Sequence, residues 1–227
     1  NILTPKASFR FNPNDMKNYS SSENKIDVNN IFSNNRLGFN DTFESGRSLT
    51  IGLDYEKEKV KDLSNINNYF AFKLATVLRD KEENFVPKKT TINRKSSNIF
   101  GSANSIFSDN FNFNYNFAID NDFKTFEYNE FNATLNINNL ITKFNFIEED
   151  GEMGDSNIIE NSFEYKVDDV NSLSFKTRRN RKLNLTEYYD LIYEYKNDCL
   201  TAGIKYKKTY YEDRDLKPSE NIFLTVT

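Results

Sequence analysis

The sequence has no histidine and no tryptophan, one cysteine, four prolines and seven glycines in 227 residues. Each shortage excludes something. Without histidine, the usual general base, proton shuttle and metal ligand of neutral-pH chemistry is missing. Cys199 alone forms neither an internal disulfide nor a cysteine-rich zinc site. No run approaches the ~20 apolar residues that carry a helix across ~30 Å of hydrocarbon, so a helical membrane protein is excluded. Basic and acidic residues number 30 and 34, and a formal charge of −4 gives no overall drive toward nucleic acid. Common enzyme chemistries are poorly served by what remains, and no cofactor or metal set is indicated.

What is abundant is aromatic side chain, with 21 Phe and 13 Tyr making up 15% of the chain although only 37% is apolar and the mean hydropathy is −0.75. Disordered chains are short of aromatics, so this composition belongs to a folded protein. The many Asn, Lys and Ile residues fit the codon bias of an AT-rich genome and carry no function by themselves. Their order does.

From Phe111 to Asp120 the odd positions are apolar or aromatic and the even positions mostly polar. A strand sends successive side chains to opposite faces, so such a segment has one greasy and one wet face. The same period of two recurs at Leu49, Ile51, Leu53 and Tyr55, and again at Phe70, Phe72, Leu74, Thr76 and Leu78. It returns at Phe131, Ala133, Leu135 and Ile137, at Phe163 and Tyr165, and at Leu173 and Phe175. Tyr189, Leu191, Tyr193 and Tyr195, then Ala202, Ile204 and Tyr206, then Ile222, Leu224 and Val226 complete the series. About twelve strands are predicted, joined by clusters of Asn, Asp, Ser and Gly.

Two architectures use serial amphipathic strands. A soluble sandwich buries its apolar faces between two sheets, with strands of about 5–6 residues. A transmembrane barrel turns them to lipid and needs roughly 9–11 residues per strand. Windows 110–119, 124–137 and 186–196 are that long. Their other faces carry charges that a dry core would not tolerate and a water-filled lumen would. Asp54, Glu56, Lys73, Arg79, Asp190 and Glu194 are predicted to line that lumen. The expected fold is therefore all-β, an antiparallel transmembrane β-barrel, with the sandwich as the open alternative.

Connection lengths support the barrel, whose bacterial outer-membrane form alternates short periplasmic turns with longer external loops. Counting back from the C-terminus, 211–219 is long, 197–199 short, 179–185 middling, 168–171 short and 149–157 long, while 80–97 is the longest. Only 57–67 breaks the rhythm, a long connection where a short one is due. Cys199 falls in a short turn, on the periplasmic end. The last run, Ile222 to Thr227, is too short to span, and about twelve strands without a closing partner would leave bare edges. The expectation is an incomplete arc of about 10–12 strands, with 1–227 forming the C-terminal part of one larger outer-membrane β-barrel domain.

The stretch from Leu185 through Tyr195, Cys199, Gly203 and Tyr206 to Pro218 resembles the C-terminal strands of the LptD family of lipopolysaccharide-assembly outer-membrane proteins, especially alphaproteobacterial forms. Asn30-Ile31-Phe32, Asn35-Arg36, Gly38, Glu44-Ser45-Gly46 and Gly52-Leu53-Asp54-Tyr55 are similar to an internal segment of that family. The resemblance is most specific over 186–218. It implies a non-catalytic translocon of twenty-six strands that inserts lipopolysaccharide into the outer leaflet of the outer membrane. It further implies an LptE-like plug lipoprotein in the lumen and a periplasmic jellyroll domain that receives lipid from a periplasmic bridge. From the resemblance also comes a disulfide from Cys199 to a cysteine outside this segment, tying barrel to jellyroll. An outer-membrane porin or receptor, or a soluble β-rich surface protein, are the alternatives.

Three charged clusters remain. Arg178, Arg179, Arg181 and Lys182, with Lys176, are placed in an external loop, and Lys88, Lys89, Arg94 and Lys95 in another. Phosphorylated lipopolysaccharide head groups would suit such tips, although solvated loops are commonly charged. Glu148, Glu149, Asp150, Glu152 and Asp155 surround Gly151 and Gly154, without the spacing of an EF-hand. Asp213-Arg214-Asp215 reads as an ion pair ordering a turn and is assigned no function.

Overall fold

The computed structural model describes residues 1–62, 65–108, 110–210 and 217–226. The twelve strands are β1 (Ile2–Asn12), β2 (Gly46–Asp62), β3 (Asn65–Arg79), β4 (Ile99–Ser108), β5 (Phe111–Ile119) and β6 (Phe126–Ile137), followed by β7 (Leu140–Glu149), β8 (Ser156–Lys166), β9 (Asn171–Asn180), β10 (Leu185–Lys196), β11 (Thr201–Thr209) and β12 (Ser219–Val226). A 3-10 turn at Lys88–Thr90 is the helical element among the described residues. The strands form one antiparallel sheet in sequence order, each flanked by its neighbours in the chain. A sandwich would divide them between two sheets. The Asp213–Asp215 ion pair lies outside the described residues.

The expected long connection at 57–67 is corrected. β2 runs on to Asp62 and β3 resumes at Asn65, with register shifts at Lys57/Glu58 and Val60/Asp62. The charged run from Lys57 to Asp62 looks like loop, but ladder hydrogen bonds come from the backbone and do not require apolar side chains. With that change the connections at one end nowhere exceed four residues, and among those at the other only the four-residue 181–184 is no longer than they are. Connections 13–45, 80–98, 120–125, 150–155, 181–184 and 210–218 alternate with 63–64, 109–110, 138–139, 167–170 and 197–200. Asn138 sits at φ 50°, the left-handed conformation that a two-residue hairpin needs and that Asn tolerates.

The chain divides into two compact units: 1–106, 114–130 and 148–155 form the first, and 107–113, 131–147 and 156–227 the second. In the first unit the register pairs Leu49 with Leu78, Leu53 with Leu74 and Tyr55 with Phe72 on one face. Thr50 with Val77, Gly52 with Ala75 and Asp54 with Lys73 share the other. Burial runs opposite to hydrophobicity. Leu49, Ile51 and Leu53 are 37–41% exposed, while the alternate Ser48 and Thr50 are 3% and 0%.

The cause is a cover of chain on the polar side. Met16, Ile26, Val28, Ile31 and Leu37 from 13–45, with Val86 and Ile92 from 80–98 and Met153, pack against Ala75, Val77, Phe100 and Ala118 of the strands. Each such side chain contributes about 1.5–3 kcal/mol when fully buried. The small strand residues are what let the cover approach. A Cβ on Gly52 would stand 2.8 Å from the Phe32 ring, so glycine is required beneath it. On the outer side, Phe117 lies over Gly101 in the same way.

In the second unit two apolar rows cross five strands. Phe163, Phe175, Leu191, Tyr206 and Ile222 are successive register partners, as are Tyr165, Leu173, Tyr193, Ile204 and Leu224. Most of these side chains are exposed. Next to the first of these rows, on the opposite face, Ser162, Lys176, Asp190 and Lys207 form a polar row in the same register.

Candidate functional site

The polar face is where chemistry is available, and the two units present it differently. In the first unit it is latched under segment 13–45. Arg36 is 4% exposed and its guanidinium donates to Glu44 Oε2 at 2.7 Å and Oε1 at 2.5 Å. The same group reaches back to β2, donating to Thr50 Oγ1 at 2.8 Å and Ser48 Oγ at 3.1 Å. Arg79 of β3 donates to Glu44 and to the Ser45 carbonyl. One carboxylate thus holds two buried guanidinium groups, one from the cover and one from the wall. Burial disfavours the Glu44 charge, yet the hydrogen bonds and charge of Arg36, with Arg79 and Arg10 beyond, hold its carboxyl below the usual range. From β1, Arg10 donates to the carbonyls of Ser33 at 2.7 Å and Asn34 at 3.1 Å.

Arg79 was expected in a wet lumen and is instead 7% exposed in this latch, because the cover supplies the partners that water would otherwise supply. Asp54 pairs with Lys6, and Lys73 lies 3.5 Å from Asn29 Oδ1. Two of the four expected loop cations are paired as well: Lys89 with Glu23, and Arg94 with Glu152 at 2.9 Å and Glu127 at 3.8 Å. The acidic segment supplies the other half, with Glu149 taken by Lys25. Among the described residues no group of three or more potential metal-ligating side chains is assembled.

The second unit keeps an open polar face. Arg178 and Arg179, expected in a loop, belong to β9, and only Arg181 and Lys182 fall in the turn 181–184. Arg178 points along the polar face to Glu160 at 3.2 Å and Glu187 at 2.8 Å, whereas Arg179 donates to Asn184 Oδ1 at 2.6 Å. The four do not form one cationic tip. Asp190, 7% exposed, holds Lys205 at 3.0 Å. Two clefts of about 420 and 400 Å³ open on this face, the first beside Glu160, Lys176 and Tyr188, the second beside Glu164, Lys166 and Glu194.

Cys199 is an exposed thiol in the turn 197–200, where its backbone N–H donates to Asn197 Oδ1 at 3.0 Å. Of the latch residues only Arg79 carries a sequence expectation, as part of the lumen wall; Arg36 and Glu44 carry none as a site. A buried polar cluster within a stretch lacking periodicity has no signature that composition or spacing reveals.

No protein-family model matches the sequence, and no curated protein matches it. Among solved structures, the chain is similar to two mutants of the Rh. blastica porin. One has 10% identity and a TM-score of 0.40, covering 79% of this chain and 80% of that one. For the other the identity is 10% and the TM-score 0.38, over 75% and 77%.

Proposed function

We propose that this chain forms wall strands of an outer-membrane β-barrel whose polar face lines an aqueous path for polar solutes, with segment 13–45 folded against that face as a constriction. One observation carries the reading: side chains on β2 are exposed when large and apolar and buried when small and polar. A water-soluble sheet has the reverse economy, whereas hydrocarbon outside and protein or water inside favour this one. The alternation of connection lengths, level only around 181–184, supports it. Reconstitution of the purified full chain in planar lipid bilayers tests it. Stepwise ion conductance is the expected result; a protein that floats with the aqueous fraction and conducts nothing would contradict it.

A second reading, insertion of lipopolysaccharide into the outer leaflet, rests on the resemblance of 186–218 to the LptD family. The exposed Cys199 in a short turn favours it, since that placement suits a disulfide to a cysteine elsewhere in an oxidising periplasm. Its partners would be lipopolysaccharide, a plug lipoprotein and the periplasmic lipid bridge, with Arg181 and Lys182 as head-group contacts at a turn. Depletion of the protein would then deplete surface lipopolysaccharide, and Cys199→Ser would change mobility on a non-reducing gel. Normal surface lipopolysaccharide after depletion removes this reading and leaves the channel standing.

A further inference from the structure

The cleft of about 420 Å³ in the second unit contains charge that the fold leaves unbalanced. Lys143 and Lys176 both line it, and among the described residues neither ammonium has an ion-pair or hydrogen-bond partner. The acid beside them, Glu160, is engaged by Arg178 at 3.2 Å. Asp190 stands opposite Lys176 in the register, but it holds Lys205 at 3.0 Å and faces Lys207 on its other side. Lys207 in turn rests 5.7 Å from the centre of the Tyr188 ring at the cleft wall. Around the cleft five cations, Lys143, Lys176, Arg178, Lys205 and Lys207, stand against three carboxylates, Glu160, Glu187 and Asp190. In the same cleft, the Oδ1 of Asn145 is shielded from water and accepts no hydrogen bond. Such a shielded acceptor is costly unless something donates to it.

We propose that this cleft binds a small hydroxyl-bearing oxyanion of the phosphate-ester class and gives the path a preference for anions. Two ammonium groups supply charge-assisted hydrogen bonds to the phosphate oxygens. Asn145 Oδ1 accepts from a ligand hydroxyl, and Ser162, which also lines the cleft, donates or accepts as needed. Lys176 lies on the face opposite the apolar rows and Lys143 lines the same cleft, so the ligand arrives from water and not from the headgroup layer of a membrane. The anion preference deepens the channel reading and rests on it, whereas binding itself does not.

The test uses the folded full chain with glycerol phosphate as probe, followed by phosphorus NMR titration, alongside reversal potentials in a potassium chloride gradient. Wild type is expected to bind saturably, more weakly as salt rises, and to conduct with anions favoured. Lys143→Gln/Lys176→Gln is expected to bind at least about tenfold more weakly and to lose the anion preference, while Lys176→Arg retains both. Lysine-dependent binding without conductance keeps the site and removes the channel. Conductance with no binding, or with binding equal in the wild type and the double variant, overturns the site and keeps the channel. Unchanged heat-modifiability on gels shows that the variants are folded.

Discussion

At the residue scale the decisive group is Glu44. Replacing it with Gln leaves Arg36 and Arg79 buried without a counter-charge, and breaking a buried pair in this way costs about 3–5 kcal/mol. The expected outcome of Glu44→Gln is release of segment 13–45, seen as rapid amide exchange at Ile31 and Leu37 with the strands still protected. Its ionisation also sets a pH dependence. The folded carboxyl titrates below its unfolded value of about 4.3. The latch is therefore at full strength at neutral pH and down to that value, and is lost as pH falls further through the folded pKa. The protection of the Ile31 amide, its exchange rate relative to the intrinsic rate at the same pH, should fall between pH 6 and pH 3 in wild type, and Glu44→Gln should lack that added dependence. Gly52 gives a second residue-scale expectation. Gly52→Ala drives a methyl into the Phe32 ring, and overpacking of that kind costs about 1–3 kcal/mol. Adding Phe32→Ala should recover part of the loss, so a double-mutant cycle by urea unfolding reports a coupling; strict additivity would show that the ring does not rest there.

At the scale of the strand, the two faces are expected to respond oppositely to one substitution. Leu191 lies in an apolar row with Phe175 and Tyr206, while Ser174 lies on the polar face opposite Ile192 and Glu164. Leu191→Arg should destabilise the vesicle-folded protein by ~2–4 kcal/mol if it sits near the bilayer midplane, and Ser174→Arg by under ~1 kcal/mol. Equal losses in urea unfolding would contradict the assignment of faces. These faces were legible in the sequence because a period of two survives any detail of packing. Phe111 to Ile119 and Leu185 to Lys196 lie almost where the alternation puts them. β1 carries no such signature: Pro5 interrupts it, yet a terminal strand of the sheet tolerates a residue with no N–H to donate. The far ends of β2 and β3 were hidden by charge, since Lys57 to Asp62 has the composition of a loop and the backbone pairing of a strand.

At the scale of the molecule, alternation predicts two faces but not what lies against each. Segment 13–45 has no helical or strand period, and its Ile26, Val28 and Ile31 gain burial only by meeting Ala75 and Val77 across many intervening residues. The Arg36–Glu44–Arg79 latch is illegible for the same reason, and so is the pairing of Arg178 with Glu160 in place of a basic loop. What decides the functional reading is which solvent meets the rows of Phe, Leu and Tyr. The sequence has no tryptophan, so one introduced indole reports without background. With the protein folded in vesicles, Leu191→Trp is expected to emit at short wavelength and to be quenched by lipids brominated on their acyl chains. Ser174→Trp is expected to emit at longer wavelength and to be quenched by aqueous iodide instead. If bromolipid quenches neither position, or quenches Ser174→Trp in preference to Leu191→Trp, the apolar rows do not face hydrocarbon and the chain is not the wall of a membrane channel.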